Sequence, residues 1–310
     1  MSQYKVFIDG SAGTTGLRIR ERLAGRKDIL LVEIDENERK NSSARKEFLN
    51  KADIVFLCLP DDAAREAVSM IENENVTVID ASTAHRTAPG WAYGFPELSD
   101  EFENKIRTSK RIAVPGCHAS GFIALIYPLI SAGIIKKDAL LTCHSLTGYS
   151  GGGKKMIAEY ESEGRDPLLS SPRQYGISQN HKHLKEMTAI CTLADPPIFS
   201  PIVADFYSGM EVTVPIFAKT IEGTAENIKK IYSDLYTGPI VSCAERTDEA
   251  GFLASSALSG KDSMEISVYG NEERILLTAR YDNLGKGASG AAVECLNIVI
   301  GADKTCGLEL

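Results

Sequence analysis

The chain has 310 residues, of which 43% are hydrophobic and 25% are charged, and this ordinary globular composition excludes a fibrous or disordered protein. The length exceeds what one hydrophobic core comfortably holds and predicts two domains. The net charge of -8 argues against a surface that binds nucleic acid.

The N-terminus and the cysteines predict a cytoplasmic protein. Tyr4–Asp9 lacks the regions of a signal peptide, and no apolar run reaches the roughly 20 residues of a membrane span. The seven cysteines are irregularly spaced and include no CxxC pair, which indicates neither a disulfide framework nor a zinc site. We therefore expect reduced thiols, no bound metal and no membrane contact.

A glycine-rich turn follows the first predicted strand. The apolar run Val6–Ile8 leads to Gly10, Gly13 and Gly16, and a helical pattern begins at Leu17. Glycines let the backbone approach a pyrophosphate, and the first N–H groups of the helix receive its negative charge. The spacing is GxxGxxG and not GxGxxG, so a plain strand-to-helix turn is an equal alternative for this segment alone.

Further apolar strands alternate with helices. We expect strands at Ile29–Ile34, Ala52–Leu59 and Val76–Asp80, and this alternation is typical of a parallel sheet. Ligands of such Rossmann-type α/β folds bind beyond the carboxyl ends of the strands. The sequence therefore predicts a dinucleotide site at that edge.

The residues after the second strand bear on the choice of dinucleotide. Asp35 and Glu36 could bond a ribose hydroxyl, whereas Arg39 and Lys40 could hold a 2′-phosphate. The sequence favours NADP. The alternative for the basic pair is the solvated start of the next helix.

One cysteine, Cys117, lies where an apolar strand becomes an apolar helix. Pro115 and Gly116 end the strand, and the run 119–129 predicts the helix. Cys117 is therefore expected near unpaired backbone N–H groups at the positive end of the helix dipole, an environment that favours the thiolate. The pattern predicts a nucleophile, with a buried structural cysteine as the alternative.

Two polar segments of the second half are candidates for binding and acid-base chemistry. The glycines of Gly148–Lys154 expose N–H groups that could bind a phosphate or a carboxamide, or they form a flexible connector. Asn180–Glu186 contains two histidines, one of which could deprotonate a cysteine and later protonate an oxygen. The alternatives are a surface helix start and an HxH metal site, although no third ligand cluster accompanies the histidines.

The rest of the second half predicts an α+β domain. Strands at Ile202–Ile216, Met264–Tyr269 and Ile275–Ala279 are expected to be antiparallel, with a helix at Thr224–Tyr236 between them. Asp282–Val293 opens a last helix with small residues. We place that helix back on the dinucleotide domain.

Four motifs together resemble the short form of the N-acetyl-gamma-glutamyl-phosphate reductase family, which belongs with the aspartate-semialdehyde dehydrogenases. The resemblance covers nearly the whole chain, and its motifs are Gly10–Gly16, Val114–Ser120, Asn180–Glu186 and Asn283–Gly290. It implies an α/β protein with an NADP-binding Rossmann domain and an α+β catalytic and oligomerisation domain. The expected domain ranges are 1–116 with 286–310 for the first and 117–285 for the second. The implied assembly is a homodimer or homotetramer.

The implied activity is a step of arginine biosynthesis. The acyl phosphate of N-acetylglutamate is reduced with NADPH to N-acetylglutamate 5-semialdehyde, and phosphate is released. The resemblance implies that Cys117 is the nucleophile, His181 the acid-base residue and Glu186 its support. Lys185 departs from the family, which usually has proline there, but the change removes no functional side chain. The residue types suit this chemistry, because a thiolate can attack an acyl phosphate and hydride can reduce the resulting thioester.

The predicted contacts follow from the motifs and the resemblance. The substrate is expected to contact Arg86, Tyr175 and Ser120. The cofactor is expected to contact Gly10, Ser11, Gly13, Thr14, Thr15, Gly16, Arg39, Ser82, Gly151 and Asn283.

Two other functions are compatible with the same residues. A related semialdehyde dehydrogenase would share the thioester chemistry with an aspartate or amino-adipate substrate. A non-catalytic, redox-sensing dinucleotide-binding protein would use Cys117 as its sensor thiol, and its histidines would be structural.

Overall fold

The computed structural model describes residues 3–39 and 41–310. Lys40 and the side chain of Glu36, both considered above for cofactor choice, lie outside the described part of the chain. The chain forms two compact units. Unit 1 contains the described residues of Met1–Pro96, Asp100–Pro115 and Ala288–Leu308, and unit 2 contains Glu97–Ser99, Gly116–Gly287 and Glu309–Leu310.

Unit 1 is built on a parallel sheet. Its strands are β1 (Tyr4–Asp9), β2 (Ile29–Val32), β3 (Ile54–Leu57), β4 (Thr77–Asp80), β5 (Ala92–Tyr93) and β6 (Arg111–Ala113). They lie in the order β2-β1-β3-β4-β6-β5, and each neighbouring pair is parallel. The predicted Rossmann-type sheet is therefore confirmed.

Helices cover both faces of this sheet. They include α1 (Thr14–Leu23), α2 (Ser42–Lys51), α3 (Asp61–Met70) and α4 (Asp100–Thr108). Successive side chains of β3 enter opposite cores: Ile54 packs with residues of α1 and α4, and Val55 packs with residues of α2 and α3. This two-sided burial explains why the strand is apolar at every position.

Unit 2 combines helices with a mixed sheet. Its helices are α5 (Cys117–Ser131), α6 (Gly153–Glu161), α7 (His183–Cys191) and α8 (Ala225–Leu235). Its strands are β7 (Thr142–Gly148), β8 (Arg173–Gln174), β9 (Ile198–Ala204), β10 (Met210–Phe217), β11 (Val241–Cys243), β12 (Met264–Gly270) and β13 (Arg274–Tyr281). The order is β11-β12-β13-β10-β7-β9-β8, which confirms the second half of the predicted fold class.

The two faces of the unit 2 sheet differ in burial. Along β10, Val212 and Val214 are buried and alternate with Thr213 and Pro215, which are half-buried. Helix α5 packs on the buried face, where its Gly121 lies against Val212. The opposite face presents Pro215 and its cross-strand partner Leu276, which is 39% exposed.

The single strand expected at Ile202–Ile216 is divided in the structure. β9 ends at Ala204 and β10 begins at Met210, and β7 lies between these two strands in the sheet. Gly209, with φ of +124°, belongs to the turn that separates them. β9 is parallel to β7, whereas the predicted antiparallel pairing is found for β10, β12 and β13.

The last helix, α9 (Gly290–Ile300), belongs to unit 1. Its residues Ala292, Val293 and Leu296 are fully buried in the same core as α1. The first unit is thus assembled from both ends of the chain.

Across residues 3–39 and 41–310, every helix is too short or too polar to cross a lipid bilayer.

Candidate active site

The glycine turn of unit 1 forms a close backbone cradle. Gly10 follows β1 with φ of +88°, and a Cβ added there would collide with the carbonyl oxygen of Cys58. A Cβ on Gly16 would lie 2.5 Å from the Gly10 oxygen. Gly13 is the N-cap of α1 and donates its N–H to the Gly10 oxygen at 3.0 Å. Helix N–H groups that follow such a turn can receive a phosphate. The other predicted contacts on this turn and helix start are Ser11, Thr14 and Thr15.

A small cavity beside the turn brings Ser11 and Arg39 together. It has a volume of about 40 Å³ and is also lined by Arg20, whose guanidinium pairs with Glu33 at 2.8 Å. Two guanidinium groups in one cavity suit a phosphate. Asp35, the acidic alternative for a ribose hydroxyl, accepts a backbone N–H of its own 3₁₀ turn at 2.9 Å.

Ser82 belongs to a buried network at the end of β4. Its hydroxyl donates to one carboxylate oxygen of Asp80 at 2.7 Å, and its N–H donates to the other at 2.8 Å. The Nδ1 of His85 lies 2.6 Å from the same carboxylate, and the His85 ring stacks on Trp91 with centroids 4.1 Å apart. The network fixes the loop that carries Ser82.

Arg86 follows this loop and is anchored to backbone carbonyls. Its Nε donates to the Val114 oxygen at 3.0 Å, and its Nη2 donates to the Ala81 oxygen at 3.3 Å. The guanidinium is therefore held beside the ends of β4 and β6. An arginine fixed in this way suits the binding of an anion.

In unit 2, Cys117 is the first residue of α5, and Gly116 is the N-cap. The Gly116 N–H donates to the Oε1 of the buried Glu186 at 2.8 Å. Ser120 turns back into the helix, where its N–H and hydroxyl both reach the Gly116 oxygen, at 2.8 and 3.1 Å. The predicted thiol is thus presented by a firmly held helix start, where the dipole favours negative charge.

A tyrosine hydroxyl is inserted into the first turn of α5. Tyr281 Oη donates to the Cys117 oxygen at 2.5 Å and accepts the Gly121 N–H at 3.0 Å. In a regular helix that N–H would donate directly to that oxygen. A Cβ on Gly121 would lie 2.7 Å from the hydroxyl, so a glycine is needed beside it. β13 therefore holds the peptide group of Cys117.

His118, the residue after Cys117, is buried and hydrogen-bonded at both ring nitrogens. Its Nδ1 lies 2.7 Å from Ser145 Oγ, and its Nε2 lies 2.6 Å from Tyr175 Oη. Burial, with smaller effects of His181 and Lys182, lowers the pKa of His118 to about 3. Burial also raises the pKa of Tyr175, and the charge of the nearby cysteine thiolate adds to that effect.

His181 lies in a group of rings around His118. Its ring centroid is 5.8 Å from that of His118, 5.7 Å from that of Tyr175 and 5.1 Å from that of Phe199. Its Nδ1 accepts the backbone N–H of His183 at 3.3 Å, which orients the ring. Desolvation lowers the pKa of His181, and the neighbouring charge of Lys182 lowers it further. The imidazole is therefore neutral near pH 7 and able to accept a proton.

Gly151 and Asn283 form a second cluster in unit 2. The Asn283 side chain accepts the Gly209 N–H at 2.9 Å and donates to Ser150 Oγ at 3.0 Å. A Cβ on Gly151 would lie 3.3 Å from the same amide nitrogen. The predicted glycine loop is thus packed on Asn283, which fixes its backbone.

Three residues of these clusters lie outside the sequence-based assignment. His118 adjoins Cys117 in the motif, and that adjacency was its only signal. Tyr281 precedes the Asn283 motif but reaches Cys117 across 164 positions. Arg20 lies on α1, one helical turn beyond Gly16, a spacing that predicts the same face.

Family models match both units. The model described as semialdehyde dehydrogenase, NAD binding domain, matches residues 6–106. The model described as semialdehyde dehydrogenase, dimerisation domain, matches residues 117–283. The parallel sheet and the mixed sheet are therefore a nucleotide-binding and a dimerisation domain of this family.

Curated relatives match over nearly their whole length. N-acetyl-gamma-glutamyl-phosphate reductase 2 of Nostoc sp. is 43% identical, covering 99% of this chain and 100% of the relative. The N-acetyl-gamma-glutamyl-phosphate reductase of Rhizobium etli is 46% identical, covering 96% of this chain and 98% of the relative. The solved structure of aspartate semialdehyde dehydrogenase with NADP from Candida albicans shares the fold, with a TM-score of 0.68, 15% identity and coverage of 98% and 100%. The chain belongs to the N-acetyl-gamma-glutamyl-phosphate reductase family.

Proposed function

We propose that this chain reduces N-acetyl-L-glutamyl 5-phosphate to N-acetyl-L-glutamate 5-semialdehyde with NADPH, as an enzyme of arginine biosynthesis. The observation that carries the proposal is the placement of Cys117 at the start of α5, with Tyr281 holding its carbonyl oxygen. The full-length relatives bear the name of this activity. We propose domain ranges of 1–116 with 286–310 for the cofactor and 117–285 for catalysis and oligomerisation.

The first half of the reaction is acyl transfer to the thiol. His181 takes the proton of the Cys117 thiol, and the resulting thiolate attacks the carbonyl carbon. A C–S bond forms, and the C–O bond to phosphate breaks with its electron pair going to the phosphate. Backbone N–H groups at the helix start, including that of Cys117, stabilise the oxyanion. The product is a thioester on Cys117.

The second half reduces that thioester. NADPH, when bound, supplies the hydride. His181, which carries the proton taken from the thiol, gives it to the carbonyl oxygen as the thioester is reduced. It takes that proton back when the hemithioacetal collapses and the thiolate leaves. Glu186 supports this chemistry through the Gly116 N–H that it accepts; support of His181 by Glu186 stays a prediction.

The residues of unit 1 fit a dinucleotide, and we propose NADP. The cradle that side chains on Gly10 and Gly16 would fill suits a pyrophosphate. Arg39 and Arg20 line one cavity and would hold a 2′-phosphate. The remaining proposed cofactor contacts are Ser11, Gly13, Thr14, Thr15, Ser82, Gly151 and Asn283.

For the substrate, we propose contacts with Arg86, Tyr175 and Ser120. The anchored guanidinium of Arg86 would bind the substrate's negative charge. The Tyr175 hydroxyl would face the reacting oxygen. Ser120 would act from within the helix start, because its hydroxyl is bonded to the Gly116 oxygen.

We propose that the chain forms a homodimer or homotetramer in the cytoplasm. The assembly is supported by the open face of the unit 2 sheet. This face presents Leu146, Ile202, Pro215, Phe217 and Leu276. Phe217 is 59% exposed, and exposed apolar faces of this kind are typical of subunit contacts. The cytoplasmic location stays a prediction from the sequence.

The test is the reverse reaction of the purified chain with N-acetylglutamate 5-semialdehyde, NADP and phosphate. We expect NADPH formation by the wild type and a loss of orders of magnitude in Cys117→Ser, with NADPH affinity unchanged. Cys243→Ser is the matched control, because Cys243 is a half-buried cysteine on β11, and it should keep its turnover. Near-normal turnover by Cys117→Ser would overturn the covalent route.

The same assay decides between the alternatives. A clear preference for aspartate or amino-adipate semialdehyde would overturn the substrate. A redox sensor would be favoured if peroxide changed the iodoacetamide labelling of Cys117 and the acyl phosphate did not.

A further inference from the structure

The buried histidine beside the nucleophile has no task in the reaction as described. We propose that His118 is a positioning residue: its Nε2–H donates to the Tyr175 oxygen, so that the tyrosine hydroxyl hydrogen is directed at the reacting oxygen of the substrate. This role rests on the proposed function. It assigns Tyr175 as a hydrogen-bond donor to the carbonyl that Cys117 attacks.

The surroundings of the ring leave it one orientation. His118 is 2% exposed, and its two nitrogens meet Ser145 Oγ at 2.7 Å and Tyr175 Oη at 2.6 Å. The rings of Phe199 and His183 pack on it with centroids 5.3 and 5.4 Å away. A flip of the ring would exchange nitrogens for carbons at both hydroxyls and break both bonds.

The fully buried hydroxyl of Ser145 decides which nitrogen carries the hydrogen. Within residues 3–39 and 41–310, the acceptor that this hydroxyl reaches is His118 Nδ1. A buried O–H without an acceptor costs about 1–3 kcal/mol. Ser145 therefore donates to Nδ1, and the hydrogen of the neutral ring must reside on Nε2.

The Nε2–H then fixes the direction of the next bond. It donates to the Tyr175 oxygen, so the Tyr175 hydroxyl cannot donate its own hydrogen to the His118 ring. The raised pKa of Tyr175 keeps that hydrogen in place at neutral pH. The hydroxyl of the half-buried Tyr175 therefore presents a donor in the direction away from His118.

The opposite tautomer would have a different consequence. With the hydrogen on Nδ1, the Tyr175 hydroxyl would donate to Nε2 and would offer a substrate only an acceptor. An acceptor would repel the oxyanion that forms when the thiolate attacks. Ser145 thus fixes the His118 tautomer that leaves the Tyr175 hydroxyl free to donate to the substrate.

The first experiment reads the tautomer without any substrate. In protein with ¹⁵N-labelled histidine, the His118 signals are assigned by their loss in His118→Gln. We expect the Nε2–H tautomer of a neutral ring at neutral pH. An Nδ1–H tautomer or a charged ring would overturn the proposal.

The second experiment uses two variants that each keep half of the ring's contacts. A glutamine amide reaches the position of Nε2 and can donate to Tyr175, whereas an asparagine amide reaches only the position of Nδ1. We expect His118→Asn to lower kcat about tenfold or more with little change in KM, as Tyr175→Phe does, and His118→Gln to retain most of kcat. Equal losses in the glutamine and asparagine variants would contradict the role.

A double variant separates positioning from mere packing. If His118 acts through the tyrosine hydroxyl, His118→Asn should cost no further kcat in the Tyr175→Phe background. If the kcat losses of the two single variants multiplied in the double variant, the role of His118 would be overturned, while turnover by the wild type would still uphold the proposed function. Absence of wild-type turnover with the N-acetylated substrate would instead overturn the proposed function.

Discussion

His118 and His181 are both kept neutral by their surroundings. Burial is the main cause of the lowered pKa of each, and positive charge on Lys182 adds to it. A neutral imidazole has one donor and one acceptor nitrogen. His181 can therefore take up a proton, whereas the more deeply buried His118 stays uncharged and keeps its two hydrogen bonds.

The shift of His118 makes stability depend on pH. Its pKa is about 3 in the folded chain and ordinarily 6.5, so between these values the unfolded chain binds a proton that the folded chain excludes. The contribution of His118 to the free energy of unfolding is greatest above about pH 6.5. It falls as the pH decreases towards 3, with a slope of at most about 1.4 kcal/mol per pH unit. His118→Gln does not titrate there, and its thermal midpoint should fall less on acidification. Parallel midpoint curves for wild type and variant would contradict this.

At the level of elements, the turn after β1 depends on glycine for two reasons. Gly10 has a positive φ and also lies against the Cys58 carbonyl, whereas Gly25 has φ of +83° with open space around it. Gly25→Ala should therefore cost only the backbone strain, about 1–2 kcal/mol. Gly10→Ala should cost clearly more and weaken NADPH binding. Unfolding midpoints and NADPH titrations of the two variants check this, and equal costs would refute it.

The hydroxyl inserted in α5 gives a second prediction for an element. Tyr281→Phe leaves the Cys117 oxygen and the Gly121 N–H to rebuild the first helical turn, which displaces the Cys117 peptide group. We expect a loss of about 1–3 kcal/mol in stability, slower turnover and an altered alkylation rate of Cys117.

The matched control for this change is another tyrosine whose hydroxyl contacts helix α5. Tyr236 is also buried, and its hydroxyl donates to the Ala124 oxygen of α5 at 2.7 Å. Tyr236→Phe should cost similar stability but leave the alkylation rate of Cys117 unchanged. Identical alkylation in both variants would show that the hydroxyl does not position the thiol.

The sequence predicts elements better than it predicts contacts between them. Cys117 at a strand-to-helix junction follows from local periodicity, although α5 begins at Cys117 itself and not at residue 119, because Gly116 serves as the N-cap. The contacts of His118 with Tyr175 and of Tyr281 with Cys117 join residues 57 and 164 positions apart. Periodicity carries no information over such separations, so these partners had to come from the structure.

For the whole molecule, the open face of the unit 2 sheet predicts how copies associate. Leu276 lies on this face, paired with Pro215, and is 39% exposed. Leu276→Glu should yield a smaller species in light scattering, because a buried unpaired charge opposes assembly. Leu168→Glu is the control, since Leu168 is 68% exposed on a 3₁₀ turn outside the sheet. An unchanged mass for Leu276→Glu would exclude this face as the contact.

Helix α9 has a consequence for biosynthesis on the ribosome. It supplies Leu296 to the same core as Ile19, yet residues 116–287 are translated in between. At typical elongation rates, roughly 10–30 s pass between translation of the first part of the nucleotide-binding unit and translation of α9, which completes its core. The named strands and helices of unit 2 all lie within residues 116–287 and are therefore translated before α9. Dinucleotide binding is thus acquired only after α9 has been translated, and chaperones can protect the uncovered sheet until then.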